Sequence, residues 1–183
     1  MTPLIGFAGL KNTGKTTLIA RLIAHYHARG LRVGVIKHDA HGFAASPAGT
    51  DTAVFAQAGA EALGIASPDG HVACEWRLDV ELSLWALAER LGEVDLIFVE
   101  GYKQAPIVKW ILLDTSQDGI DVSRTAPYVD MMEASERVIG WIVPRLPFSI
   151  AGHHGQVYHR EDIEGICNHM ADVFADARLA YSN

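Results

Sequence analysis

Cysteine is nearly absent from this 183-residue chain: Cys74 and Cys167 stand far apart and without C-x-x-C spacing. That excludes a disulfide-stapled scaffold and a zinc site built on thiolates. Positive charge is also in short supply, with 15 Lys and Arg against 22 Asp and Glu and a formal net charge of −7. Such a balance does not suit a protein that covers nucleic-acid phosphate, so no nucleic-acid partner is expected, although a local basic site for one small anion is compatible with it. No run approaches the ~18 apolar residues of a bilayer span, and no membrane association is expected. The first residues lack the charged start, long apolar stretch and cleavage site of a secretory signal, which points to a cytoplasmic location. Repeats and low-complexity linkers are missing as well, and the length fits one domain over residues 1–183.

What the chain does have is apolar material, 49% hydrophobic residues against 20% charged, sufficient for a packed core. Short apolar runs alternate with stretches of helical periodicity, the pattern of a sheet covered by helices. Strands are predicted over residues 4–8, 32–37, 62–67, 71–76, 95–100, 108–113 and 137–143. Helices are predicted over 16–29, 51–59, 80–91 and 161–178. In the first helix Leu18, Ile19, Leu22, Ile23 and Tyr26 recur at spacings near three and four, and Gly30 follows where a left-handed cap is wanted. Pro68-Asp69-Gly70 reads as the turn of a hairpin. Residues 38–50 form a polar loop long enough to suggest a functional role, and 115–127 is a weakly patterned loop. The expected fold is α/β: a P-loop NTPase three-layer sandwich with a largely parallel sheet and some antiparallel strands.

The strongest local signal is Gly9-Leu10-Lys11-Asn12-Thr13-Gly14-Lys15-Thr16, followed by Thr17, which fits G-x-x-x-x-G-K-[ST] between an apolar strand and an amphipathic helix. Gly9 and Gly14 let the backbone turn and approach phosphate oxygens with no β-carbon in the way. Amides from Thr13 to Thr17 then face inward at the positive end of a helix. Lys15 has the reach for β- and γ-phosphates, and the Thr16 hydroxyl for a Mg²⁺ ion. Lys11 is one place away from the position of a cross-dimer lysine and reads as an exposed cation that attracts the triphosphate.

A phosphate loop also needs a carboxylate at the end of a neighbouring strand. The apolar run 96–99 ends in Glu100-Gly101 and supplies one, whereas Asp95 starts that strand and belongs at the opposite edge. Lys37, His38, Asp39 and His41 leave the second strand at the same edge and form a possible switch loop, in which Asp39 or Asp51 approaches the metal. His38 and His41 are three apart; they either hydrogen-bond phosphate, substrate or backbone, or bind a transition metal if the turn is helical.

These segments resemble the molybdopterin-guanine dinucleotide biosynthesis protein B (MobB) family of P-loop GTP-binding proteins. The resemblance rests on the loop Gly9 to Thr17, on Val35-Ile36-Lys37-His38-Asp39-Ala40-His41, on Gly49-Thr50-Asp51-Thr52 with Ala58-Gly59-Ala60, and on Asp95 through Lys103. It implies a cytosolic protein that binds GTP and Mg²⁺, forms a homodimer and hydrolyses GTP slowly at most. It further implies an adapter role beside the guanylyltransferase that attaches GMP to molybdopterin. Carried over by position, Gly9, Asn12, Thr13, Gly14, Lys15, Thr16 and Thr17 contact phosphates, and Thr16, Asp51 and Glu100 lie near the metal. Thr50 stands where the family commonly has lysine, and Val143-Pro144-Arg145-Leu146-Pro147 contains no N-K-x-D guanine signature, so GTP follows from the resemblance alone. Two other readings share the same core. One is a metal-delivery GTPase using His38, His41 and Cys74; the other is a small-molecule kinase with Arg124 as a lid arginine.

Overall fold

A computed structural model describes residues 2–39, 42–43, 45–113, 137–146 and 155–181. The expectations for His41, for the 115–127 loop and for Arg124 lie outside the described residues. The chain groups into two compact units, Met1–His38 with Leu84–Asn183, and Asp39–Ser83.

In the first unit β1 (Leu4–Gly9) is buried throughout, as its uninterrupted apolar sequence demands of a central strand. The helix α1 (Lys15–Ala28) follows, then β2 (Val33–Lys37). After the second unit come α3 (Leu84–Arg90), β5 (Leu96–Glu100), β6 (Val108–Leu112), β7 (Val138–Val143), β8 (Val157–His159) and α4 (Ile163–Phe174). The six strands pair in the order β2-β5-β1-β6-β7-β8, every pair parallel. The parallel crossover expected after β1 is present, with β5 inserted between β1 and β2. All strands therefore deliver their C-terminal ends, and the loops that follow, to one edge.

Alternate residues of these strands supply the two faces. Ile5, Phe7, Phe98, Trp110 and Ile142 pack with Leu18, Leu22 and Tyr26 of α1 and with Ile166, Cys167 and Met170 of α4. On the other face Leu4, Ile36, Ile97, Val99 and Ile107 pack with Leu84 of α3. The first helix ends as its glycine requires. Gly30 has φ 79°, its N–H donates to His27 O and that of Leu31 to Tyr26 O, closing a Schellman motif.

The sequence reading departs from the structure mainly at element ends. The helix predicted from residue 80 begins at Leu84. The C-terminal helix predicted over 161–178 stops at Phe174, because Ala175 turns left-handed at φ 50°, and a 3-10 turn, Ala177–Leu179, follows. The strand β8 has no counterpart among the predictions: three residues are too few to show a period.

The second unit holds α2 (Asp51–Gln57) and an antiparallel pair, β3 (Ala62–Ala66) and β4 (Val72–Trp76). The Ser67–His71 turn closes it through Gly70 N–H to Ser67 O at 3.0 Å, with Gly70 at φ 89°. Thr50 rather than Asp51 caps α2, accepting from Ala53 N–H at 3.3 Å while donating to Pro47 O at 2.7 Å. Among the described residues no helix is long and apolar enough to cross a membrane.

Candidate phosphate-binding site

The loop between β1 and α1 is shaped by close backbone approach. A β-carbon on Gly9 would stand 2.4 Å from Leu112 O of β6, so only glycine fits there. Gly14, at φ 85°, is the N-cap of α1 and offers its first turn no side-chain acceptor. The amides that open α1 therefore keep their hydrogen-bonding capacity for a ligand, at the positive end of a 14-residue helix. Asn12 takes the left-handed conformation at φ 67°, and Thr13 is buried, its hydroxyl donating to Leu10 O at 3.0 Å.

Lys15 folds back over the loop. Its Nζ donates to Leu10 O at 2.6 Å and to Gly9 O at 3.3 Å, with Thr13 Oγ1 at 3.4 Å. Burial holds this ammonium below the usual lysine range; Glu100 opposes the shift, while Lys103 and Lys37 add to it. Lys15 thus feels two further ammonium groups against one carboxylate, a local excess of positive charge on a chain of negative net charge and the condition for attracting a small anion.

Glu100 ends β5 beside β1, its Cα in register with Phe7 on one side and Lys37 on the other. The Thr16 hydroxyl donates to its carboxylate, at 3.2 Å from Oε2 and 3.4 Å from Oε1. These two side chains come from positions 84 residues apart and converge as hard oxygen donors, a set that suits Mg²⁺. His38 leaves β2 against the same corner: its N–H donates to Glu100 O at 2.9 Å and its ring lies 4.6 Å from that of Tyr102. A β-carbon on Gly101, at φ 96°, would come within 3.0 Å of His38 O, so the Glu-Gly sequence is matched to that contact. Thr17 is exposed on the first turn of α1, and Lys11 is exposed in the loop. Asp39 and Asp51 belong to the second unit, where Asp51 is the exposed first residue of α2. Among the described residues no group of three or more His, Cys, Asp or Glu side chains is arranged to hold a metal ion.

One charged cluster at this edge escapes sequence reasoning. Arg160 and Glu161 follow β8, and Arg21 of α1 pairs with Glu161 at 2.6 Å. A β-carbon on Gly14 would lie 3.4 Å from Arg160 Nη1. Arg160 and Glu161 belong to no motif, and no spacing links position 160 to position 14.

With the geometry described, the comparisons decide the lineage. The family described as molybdopterin guanine dinucleotide synthesis protein B matches residues 4–126. The chain belongs to the MobB family. Within it, the chain is 39% identical over 120 residues to the molybdopterin-guanine dinucleotide biosynthesis adapter protein of Escherichia coli strain K12, covering 61% of this chain and 66% of that protein. The protein of the same description from Haemophilus influenzae is 36% identical over 116 residues, covering 60% and 62% of the two chains. These matches thus span just under two thirds of the length of each relative. The crystal structure of Bacillus subtilis MobB shares the fold, with a TM-score of 0.66, 22% identity and 99% of both chains covered. The P-loop NTPase-like α/β architecture expected for MobB is therefore the one observed.

Proposed function

We propose that this chain binds Mg²⁺·GTP on the Gly9–Thr17 loop and serves as an adapter in the guanylation of molybdopterin. The observation that carries the reading is the convergence, on one sheet edge, of the uncapped N-terminus of α1, the Lys15 ammonium and the Thr16–Glu100 oxygen pair. The amides of residues 13–17 and Lys15 hold the phosphates, and Gly9 and Asn12 give the loop its curvature. Mg²⁺, when bound, neutralises phosphate charge; Thr16 and Glu100 would hold it, and the family resemblance adds Asp51 as a ligand. Lys37, His38, Asp39 and His41 act as a switch loop that responds to the γ-phosphate.

GTP rather than ATP, the cytoplasmic location and partnership with the guanylyltransferase rest on the family resemblance and on the description of the relatives as biosynthesis adapter proteins. The apolar side chains exposed on the second unit, among them Val54, Phe55, Val72 and Trp76, support a homodimer. The whole chain works as one nucleotide-binding domain. With no general base identifiable in the sequence, hydrolysis is slow, comparable to the ~10⁻⁴ s⁻¹ of an unaided small GTPase.

Calorimetric titration of GTP and ATP, each with and without Mg²⁺, tests nucleotide class, base choice and metal together. Mg²⁺-dependent binding that favours GTP is the expected result. No heat with either nucleotide on well-folded protein would remove the reading, and single-turnover hydrolysis above roughly 1 s⁻¹ without a partner would remove its kinetic part.

A further inference from the structure

Resting on that reading of the cradle, we propose that Arg160 is a further nucleotide-contacting residue, whose guanidinium meets phosphate oxygens beside Gly14. Arg160 sits just after β8, at the edge that carries the β1–α1 loop. Its Nη1 stands 3.4 Å, and its Cζ 4.0 Å, from the place a β-carbon on Gly14 would occupy. Gly14 and Arg160 both line a cavity of about 160 Å³, together with Thr13, Thr17, Arg21 and Glu161.

Charge pairing separates the two arginines of this cavity. Arg21 is neutralised by Glu161 at 2.6 Å and also donates to Arg160 O at 3.4 Å. The Arg160 guanidinium has no hydrogen bond and no ion pair with any described residue. Its backbone, in contrast, is held: Arg160 N–H donates to Val143 O at 2.8 Å, and its carbonyl takes the bond from Arg21. The neighbouring His159 ring contacts Pro144 O through Nε2 at 2.8 Å and accepts from Glu161 N–H through Nδ1 at 3.2 Å, tying the β7 and β8 ends together. A cation anchored at its root, with a head that pairs with no described residue, thus lies against Gly14 at the positive end of α1. The positive end of a helix repels a cation set beside it, and a phosphate group bound next to both turns that repulsion into attraction. The planar fork of a guanidinium suits two phosphate oxygens at once. Arg21, by fixing Glu161 and the Arg160 carbonyl, is a positioning residue.

The test titrates wild type, Arg160→Gln and Arg160→Lys with GTP, GDP and inorganic pyrophosphate, with thermal unfolding run in parallel. Loss of charge-assisted bonds predicts about 10–100-fold weaker binding of all three ligands by Arg160→Gln at an unchanged melting temperature, with partial recovery in Arg160→Lys. GTP affinity in Arg160→Gln equal to wild type overturns the proposal while leaving the function above intact. A loss for GTP with none for pyrophosphate also overturns it, because the contact would then be to sugar or base. Should Arg160→Gln unfold early, the same comparison is read from Arg160→Lys, which keeps the charge and loses the fork; GTP and pyrophosphate affinities equal to wild type there overturn the proposal. Wild type that binds neither GTP nor ATP removes the cradle reading and this inference with it.

Discussion

Replacing Lys15 with alanine separates what the loop does for a ligand from what it does for the fold. In the structure the ammonium donates to Leu10 O at 2.6 Å and Gly9 O at 3.3 Å. A triphosphate would draw it from these carbonyls into about two charge-assisted bonds, each worth ~1.5–3 kcal/mol, against ~1 kcal/mol for the carbonyl contacts given up. The net of about 2–5 kcal/mol corresponds to GTP binding weakened roughly 30- to 4000-fold in Lys15→Ala. The cost to the fold is far smaller. The carbonyl bonds are lost, but so is a charge that burial disfavours, and Lys37 and Lys103 no longer face a like charge. Stability should therefore move by no more than about 1 kcal/mol. Calorimetry and thermal unfolding on the same preparation check both halves. A variant that melts with wild type and binds GTP within threefold would refute the placement of phosphate over Lys15; one that fails to fold would refute the separation of roles.

Glu100→Gln keeps an oxygen for the Thr16 hydroxyl and removes the charge, so GTP binding should persist without Mg²⁺ while its enhancement by Mg²⁺ falls; unchanged Mg²⁺ dependence in calorimetry would count against Glu100 as a ligand. Gly140→Ala would put a β-carbon 2.5 Å from Trp110 Cζ3 and 3.0 Å from Gln156 O, and should lower stability by at least ~1–3 kcal/mol. Because Trp110 Nε1 has no hydrogen-bond partner among the described residues, Trp110→Phe should restore part of that loss, and an unaltered melting curve for Gly140→Ala would contradict the contact. Burial pushes the Cys167 thiol up to about 11, so the fold favours its neutral form. Its contribution is complete below the ordinary thiol range and declines as pH rises from there to about 11, where the unfolded chain has already released its proton. Unfolding midpoints should fall across that window, less so in Cys167→Val, and a thiol reagent on native protein should label the exposed Cys74 and spare Cys167.

The alternation of strand and helix, the glycine-bounded turn between β1 and α1 and the carboxylate ending β5 were legible because each is local. Residues 9–17 carry their geometry in their own glycines, and an apolar run ending in Glu-Gly names its terminus. Gly30 marked the end of α1 for the same reason: a left-handed residue is a property of one position. The order of the sheet is of another kind. That β5 enters between β1 and β2, so that Glu100 stands beside Thr16, depends on which strands bury each other's faces, and no pattern over the separation of 84 positions encodes it. The end of α4 at Phe174 was set by Ala175 turning left-handed, which periodicity does not see. The approach of Arg160 to Gly14 is the furthest removed. It requires β8, a strand of three residues with no signal of its own, to be carried across β6 and β7 to the same edge. By itself, then, the sequence determined the elements and the shape of the β1–α1 loop, because backbone preference and hydrophobic period act over a few residues. Which distant charges surround that loop was decided only by the tertiary structure, because burial of whole sheet faces selects their neighbours.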